Sequence, residues 1–334
     1  MRAEPIPEPA RPLLRVENLN VEYAVMGGII QRVKARVRAI EDVSFDLQRG
    51  ETLGLVGESG SGKSTLGRAI VRLLRPASGT ISLAGRDIAS LGKAELLPYR
   101  KRVQMVFQDP YSSLNPRMTA GDIVAEPLLV HGMLSGTALK DRVAELFDYV
   151  GLRPDRMGSY PAEFSGGQRQ RLCIARAISL GPELIVADEA VSALDVSVQA
   201  QILNLFRRLQ AELGLSFLFI SHDLAVIATV SHRIAVLYLG RVVELAPRQE
   251  LFARPLHPYT EALIRSVPVP DPGKARHFNP IGQIPSMARK PPGCHFHTRC
   301  PLVRAECRSI PPPLVEVAPG HHVACHVRQA EATG

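Results

Sequence analysis

The sequence predicts an α/β fold: a parallel sheet core, a helical subdomain inserted into it, and a small irregular Cys-rich region at the C-terminal end. Three observations carry that expectation. Short apolar strands alternate with amphipathic helices on either side of a mostly helical middle stretch, a pattern that buries a parallel sheet between helices. A glycine-rich loop joins one of those strands to one of those helices. After Pro255 the chain turns proline-rich and collects four of its five cysteines.

Residues 1–12, "MRAEPIPEPARP", are polar and Pro-rich and read as a flexible arm; without an apolar run they do not make a secretory signal. Leu13 to Tyr23 alternates as a strand should. Val25 to Val37 reads as an irregular basic insertion. "RAIEDVSFDLQ" and "ETLGLVG" read as two further strands, the second a short apolar run ending in glycine. Lys63 to Leu74 has helical spacing at Leu66, Ile70, Val71 and Leu74. From about Ala94 to Arg176 the pattern is mostly helical, with "ALKDRVAELFDYVGL" the clearest amphipathic piece. Strands and helices alternate again from Glu183 to Val243. Beyond Pro255, "VPVPDPG", "RKPPG" and "IPPPL" disfavour helix, so an extended tail is expected, held by something other than a large core. The domain division is then 1–12, 13–255 and 256–334, with the helical subdomain at about 94–176.

Composition narrows the class. At 334 residues, 46% hydrophobic and 22% charged, the chain fits a globular core domain with an appendage. Its longest apolar runs, "LSFLFI" and "IAVLYL", are strand-sized, whereas a membrane span needs about 20 apolar residues. A cytoplasmic setting is expected, where stable disulfides are rare. The net charge of +8 comes from scattered arginines with no block of like charge, so no specific nucleic-acid partner is expected.

The stretch "GESGSGKST" comprises Gly57, Glu58, Ser59, Gly60, Ser61, Gly62, Lys63, Ser64 and Thr65, and fits the phosphate-loop pattern G-x-x-x-x-G-K-[ST]. Glycines let successive N–H groups curl around phosphates, and the helix that begins near Lys63 adds its positive end. Lys63 is expected on the β- and γ-phosphates of ATP, Ser64 on Mg²⁺, and Thr65 on the phosphates. "PELIVADEA" is a buried strand ending in two acids, which delivers both carboxylates to the sheet edge where phosphate loops sit. Asp188 is expected to hold Mg²⁺ through water and Glu189 to polarise the attacking water. In "EFSGGQRQRLCIARAI", Ser165, Gly166 and Gly167 can open a helix with free N–H groups, a second anion site. Cys173, further along, reads as a small core residue.

At this point the chain resembles the ATP-binding cassette (ABC) family over about residues 13–250. "SGGQ", Ser165 to Gln168, is similar to that family's signature. Gln108 in "MVFQDP" resembles its Q-loop and a further Mg²⁺ contact, Asp195 in "SALD" its D-loop, His222 in "FISHD" its switch histidine, and Tyr23 its adenine-stacking aromatic. The resemblance implies a phosphate-loop NTPase with an antiparallel β subdomain. It also implies a head-to-tail dimer in which ATP lies between one subunit's phosphate loop and the other's signature. One departure is Ala190, where the family usually has proline; both carboxylates remain, so hydrolysis is expected to survive. "QDPYSSLNPRMTAGDIVAEPL" and "HPYTEALIRSVP" resemble ATPase subunits of bacterial oligopeptide and dipeptide importers, glutathione and nickel importers included, closest to the second (F-type) subunit. The partners implied are a second ABC ATPase, a paralogue in preference to a second copy, two permease subunits, and an extracytoplasmic substrate-binding protein. The place implied is the cytoplasmic face of the inner membrane.

The four late cysteines fall as Cys294-x5-Cys300-x6-Cys307-x17-Cys325. Structural zinc usually shows closer pairs, four thiolates also suit an iron–sulfur cluster, and free thiols are a third reading. A metal centre would explain how a proline-rich tail folds. The family resemblance implies a [4Fe–4S] cluster on Cys294, Cys300, Cys307 and Cys325, with zinc as the alternative. His295 and His297 are expected near the surface or behind the ligands.

Overall fold

The computed structural model describes residues 11–27, 32–266 and 285–333. The first sheet is antiparallel. Strand β1 (Leu14–Gly27) pairs with β2 (Arg32–Leu47) from Leu14↔Leu47 to Gly27↔Arg32. Val25 to Val37 is therefore not an irregular insertion where it is described. The alternation of Val33, Ala35 and Val37 with basic residues is strand-like, and it carries the hairpin on past Tyr23; residues 28–31 lie outside the described set.

Strand β3 (Thr52–Val56) leaves this layer, and the glycine loop carries the chain into α1 (Lys63–Ile70). The helix stops short of Leu74. Arg72 takes a left-handed φ of +58°, and its guanidinium donates to the carbonyls of Ile88 and Leu91. Strands β4 (Ser78–Leu83) and β5 (Arg86–Asp87) return to the first sheet, whose order is β2-β1-β4-β5. Helix α2 (Lys93–Arg102) leads to β6 (Val103–Val106). This strand interrupts the stretch expected to be helical. Its four residues are too few to show a period, and pairing with the next strand decides their conformation.

The helical layer follows: α3 (Pro110–Ser113), α4 (Ala120–Val130), α5 (Gly136–Val150) and α6 (Gly166–Ile178). Next come β7 (Leu184–Asp188), α7 (Val196–Leu213), β8 (Ser216–Ser221), α8 (Leu224–Val230), β9 (Arg233–Tyr238) and β10 (Arg241–Pro247). Strands β6-β7-β8-β3-β9 are parallel neighbours in that order, and β10 adds antiparallel to β9. Every residue of β3, β7 and β8 is buried, as expected of strands covered on both faces. On one face Phe206 of α7 meets Phe217 and Phe219 edge-on, with ring centres 5.4 Å apart in each pair. On the other, Leu53, Leu55 and Ile220 pack with Leu66 and Ile70 of α1.

The tail is more regular than its prolines suggest. After α9 (Arg248–Ala253) it holds α10 (Pro258–Arg265), β11 (Val315–Ala318), β12 (His321–Val323) and α11 (His326–Thr333). Pro258 does not break α10; it sits in the first turn, where a missing N–H costs nothing. β12 pairs with β10 through Glu244↔Val323 and Leu245↔His322, so the tail extends the core sheet. A fully buried carboxylate helps fix this join. Glu244 accepts the N–H groups of Leu256 (2.8 Å) and His257 (2.9 Å) and lies 2.7 Å from His321 Nε2. A second tie runs to the hairpin: Lys290 and Arg241 both reach Glu41, at 3.3 and 2.7 Å. Burial opposes ionisation of Glu41, but these cations outweigh it and hold the carboxyl near 2.

Candidate active site

A cavity of about 640 Å³ opens beside the C-terminal ends of β3, β7 and β8. It gathers Lys63, Ser64 and Thr65 from the loop–helix junction, Gln108 from the loop after β6, Glu189 after β7, and His222 after β8. Tyr23 from the hairpin stands at its edge, and Ser59, Gly60 and Gly62 form the loop wall. The elements force this convergence. Parallel strands all end on one side, so the residue after each strand reaches the same crevice.

The loop is shaped by two glycines above all. Gly62 caps α1 with a φ of +106°, and a Cβ there would meet the Ala39 carbonyl oxygen at 2.8 Å. A Cβ on Gly57 would meet the Leu237 carbonyl oxygen at 2.1 Å. Lys63 is almost wholly buried and donates to the carbonyls of Gly57 (2.7 Å) and Glu58 (3.0 Å). Burial pulls its pKa down, against the upward pull of Glu189, Asp188 and Glu58. Ser64 Oγ donates to Asp188 Oδ1 at 2.8 Å. Burial is also the main force on Asp188 and raises its pKa, with Ser64 opposing. A hydroxyl beside a carboxylate is an oxygen donor set of the kind Mg²⁺ accepts.

Glu189 takes a left-handed φ of +48°, unusual for a residue with a side chain and a common mark of functional sites. Its Oε2 accepts from Gln108 Nε2 at 2.9 Å, and its Oε1 lies 3.3 Å from His222 Nδ1. Tyr23 Oη lies 3.2 Å from Thr65 Oγ1, with the ring 40% exposed. Ala190 is buried. Glu58 and Ser61 turn away from the main cavity toward a smaller adjoining hollow shared with Tyr238 and Leu239. Val37, Ala39 and Met287 also line the main cavity, and no sequence motif singled them out.

The signature lies elsewhere on the surface. Ser165 caps α6: its Oγ accepts from Gln168 N–H (3.4 Å), while Gln168 Oε1 accepts from Ser165 N–H (3.0 Å), a capping box. A Cβ on Gly167 would meet Val198 Cγ1 at 2.5 Å, and one on Gly166 would touch Leu194. Asp195, exposed, stands at the N-terminal end of α7 beside them, without a capping side-chain bond. Neither Ser165 to Gln168 nor Asp195 lines the phosphate-loop cavity.

Cys294, Cys300, Cys307 and Cys325 line one small cavity of the tail together with His257, His297 and Leu302. None forms a disulfide. Burial raises the thiol pKa of Cys294, to about 11, and those of Cys300 and Cys325, and neighbouring cysteines add to each rise. Among the described residues no group of three or more His, Cys, Asp or Glu is arranged to hold a single metal ion. His297 Nδ1 lies 2.9 Å from the Cys294 carbonyl oxygen. His295 is not at the surface: it is buried and turned toward Glu41, 3.7 Å away. Cys173 is a core residue, as expected, its thiol raised to about 11 mainly by burial.

A phosphate loop on a parallel sheet, two acids at the end of another strand of that sheet, and a separate Gly-Gly helix cap define an ATP-binding cassette ATPase, a class that works on ATP with Mg²⁺. Comparison with known proteins agrees. The profile of the family described as "ABC transporter" matches residues 40–192, and that of "Oligopeptide/dipeptide transporter, C-terminal region" matches residues 243–307. The chain is 56% identical over 321 residues to a probable peptide ABC transporter ATP-binding protein of Sinorhizobium fredii, covering 96% of this chain and 91% of that one. It is 49% identical to an oligopeptide transport ATP-binding protein of Bacillus subtilis, covering 94% and 97%. Among solved structures it is similar to the dimeric post-hydrolysis form of the ATP-binding cassette MJ0796 bound to ADP and Pi, at 30% identity and a TM-score of 0.63, covering 70% of this chain and 98% of that one. The chain belongs to the ABC transporter family of ATP-binding proteins, in the branch that carries the oligopeptide/dipeptide C-terminal region. No helix among the described residues is long and apolar enough to cross a membrane.

Proposed function

We propose that this chain is the ATP-hydrolysing subunit of a bacterial importer that takes up peptides, of the dipeptide, oligopeptide or glutathione-like kind. The observation that carries the reading is the convergence of Lys63, the Ser64–Asp188 pair and the Gln108–Glu189–His222 chain on one cavity. Lys63 and the loop N–H groups hold the phosphates, with Ser59, Gly60 and Gly62 allowing close approach. Ser64, Asp188 and Gln108 provide the oxygens that hold Mg²⁺, which neutralises phosphate charge when bound. Glu189 orients and polarises the attacking water, His222 contacts the γ-phosphate, and Tyr23 stacks on adenine.

Placement of the signature outside the cavity favours action in trans. Ser165, Gly166, Gly167 and Gln168 cap the ATP bound by a second cassette ATPase, and exposed Asp195 meets that partner beside them. The partner is a paralogue. Two permease subunits and an extracytoplasmic binding protein complete the machine, with this chain on the cytoplasmic face of the inner membrane. A cleft of about 430 Å³ between β6, α4 and α6 gives the permease a seat. Val130, 72% exposed, stands on its rim, and Phe107, next to Gln108, lines it, so an occupant would be felt at Glu189.

In the tail, the four thiols hold a [4Fe–4S] cluster, with zinc as the alternative. Their convergence on one cavity supports a shared centre of this kind. The test of the whole reading is reconstitution of the protein with its permease in vesicles. Peptide delivered with a binding protein should raise ATP hydrolysis and enter the vesicles. Uptake of nickel in place of peptide, or salt-sensitive binding of DNA with no transport, would sink it.

A further inference from the structure

The second residue of the phosphate loop, Glu58, is held from the tail. Tyr259, in the first turn of α10, is buried, and its hydroxyl accepts the Glu58 N–H at 2.8 Å. Arg299, one residue before Cys300, presents its guanidinium as a fork to the Glu58 carboxylate, at 3.0 and 3.1 Å, and also donates to Tyr238 Oη at 3.3 Å. The guanidinium lies over the rings of Tyr238 and Phe296, 5.8 and 5.5 Å from their centres. Tyr238, Tyr259 and Phe296 pack on one another with ring centres 4.5 to 5.5 Å apart. This aromatic cage leaves the Arg299 side chain 9% exposed. Lys63 takes the Glu58 carbonyl, so residue 58 is gripped through its N–H, its carbonyl and its carboxylate, and two of the three grips come from beyond Pro255.

The carboxylate needs an answer. It sits in a loop built to receive a triphosphate, and it acts electrostatically on Lys63. Left unpaired it would repel the phosphates and pull the loop out of shape, and breaking one side of a part-buried forked pair leaves the other charge stranded. We propose that Arg299 and Tyr259 are positioning residues of the phosphate loop: they neutralise and hold Glu58 so that the loop takes ATP, which makes nucleotide affinity depend on the folded tail. The inference rests on the loop being the ATP site.

The test measures Mg-ATP dissociation constants and steady-state kinetics of the full-length protein, with thermal melting alongside. Arg299→Gln is expected to raise the dissociation constant and KM about tenfold with kcat little changed. Adding Glu58→Gln to it should recover most of that loss, because no charge is then stranded. Arg299→Lys, which keeps the charge and loses the fork, should weaken binding about threefold, and serves if the glutamine variant does not fold. Tyr259→Phe should weaken binding about threefold as well. Unaltered affinity in the Arg299 variant that folds, or a double variant that binds no better than Arg299→Gln, overturns the proposal. Wild-type protein that takes no Mg-ATP overturns this proposal and the ATP-site reading together, whereas wild-type binding with an unaltered Arg299 variant overturns this proposal alone.

Discussion

The phosphate-loop cavity and the thiol cavity of the tail are assembled by opposite means. In the first, the reactive groups answer one another: Lys63 its two carbonyls, Ser64 Asp188, and Gln108 and His222 Glu189. They are carried by strand ends, so the sheet sets their spacing. In the second, four cysteines stand on loops and short turns, two of them buried and two half-buried, and their thiols are crowded together without a disulfide. The first cavity is a network satisfied within the protein. The second gathers crowded thiols that bonding would relieve. A network of the first kind should tolerate a conservative change in shape and lose chemistry; a cluster of the second kind should lose structure.

The largest effect tests that contrast on the first side. Glu189→Gln is expected to lower kcat by about 10²- to 10⁴-fold while Mg-ATP binding and melting temperature hold. Wild-type turnover in this variant would remove Glu189 from the chemistry. On the second side, Cys307→Ser should lower the melting temperature by roughly 5–10 °C and abolish iron content and absorbance near 400 nm in protein purified without oxygen. Colourless wild-type protein with stoichiometric zinc would replace the cluster by an ion. A smaller effect is expected at the mouth of the first cavity. Tyr23→Ala should weaken ATP binding by about 1–3 kcal/mol, the usual worth of a stacked base, and Tyr23→Phe should not, if the ring and not its bond to Thr65 matters.

The smallest prediction lies at the opposite end of the strands. Glu183, at the start of β7, pairs with Arg102 and Arg49; the Arg102 hydrogen bond is the main cause of a pKa below the usual 4.5. A depressed carboxyl contributes stability above its unfolded pKa and loses it as pH falls through the folded value. Glu183→Gln should therefore cost up to about 1 kcal/mol at pH 7 and flatten the loss of stability below about pH 4.5, read by urea melts. Turnover should be unchanged, since the site is at the other end of the sheet.

The two cavities also differ in how far they could be read from residues alone. A phosphate loop is local: strand, glycines, lysine and helix are consecutive, so their order encodes their geometry. Asp188 and Glu189 were legible for the same reason, at the end of a short apolar strand. The tail's architecture is not local. β12 is three residues long and becomes a strand by lying on β10, beside buried Glu244. The tail's prolines made helix look unlikely there, yet Pro258 opens α10, because proline's effect depends on its position in the turn. Arg299 and Glu58 are 241 residues apart, and nothing near either announces the other. In the hairpin, Gly27 and Gly28 drew attention from the alternation that follows them.

The seam between β10 and β12 has one more consequence. With the tail in place, β10 has neighbours on both sides; Ala324 N–H also donates to the Val243 carbonyl at 2.8 Å. A chain cut at Pro255 would leave that flank of β10 with open N–H and C=O groups and a buried carboxylate stripped of its donors. Such a flank is a template for pairing with another copy. The tail thus guards solubility, and a cassette trimmed to its motifs should self-associate before its ATP chemistry can be measured.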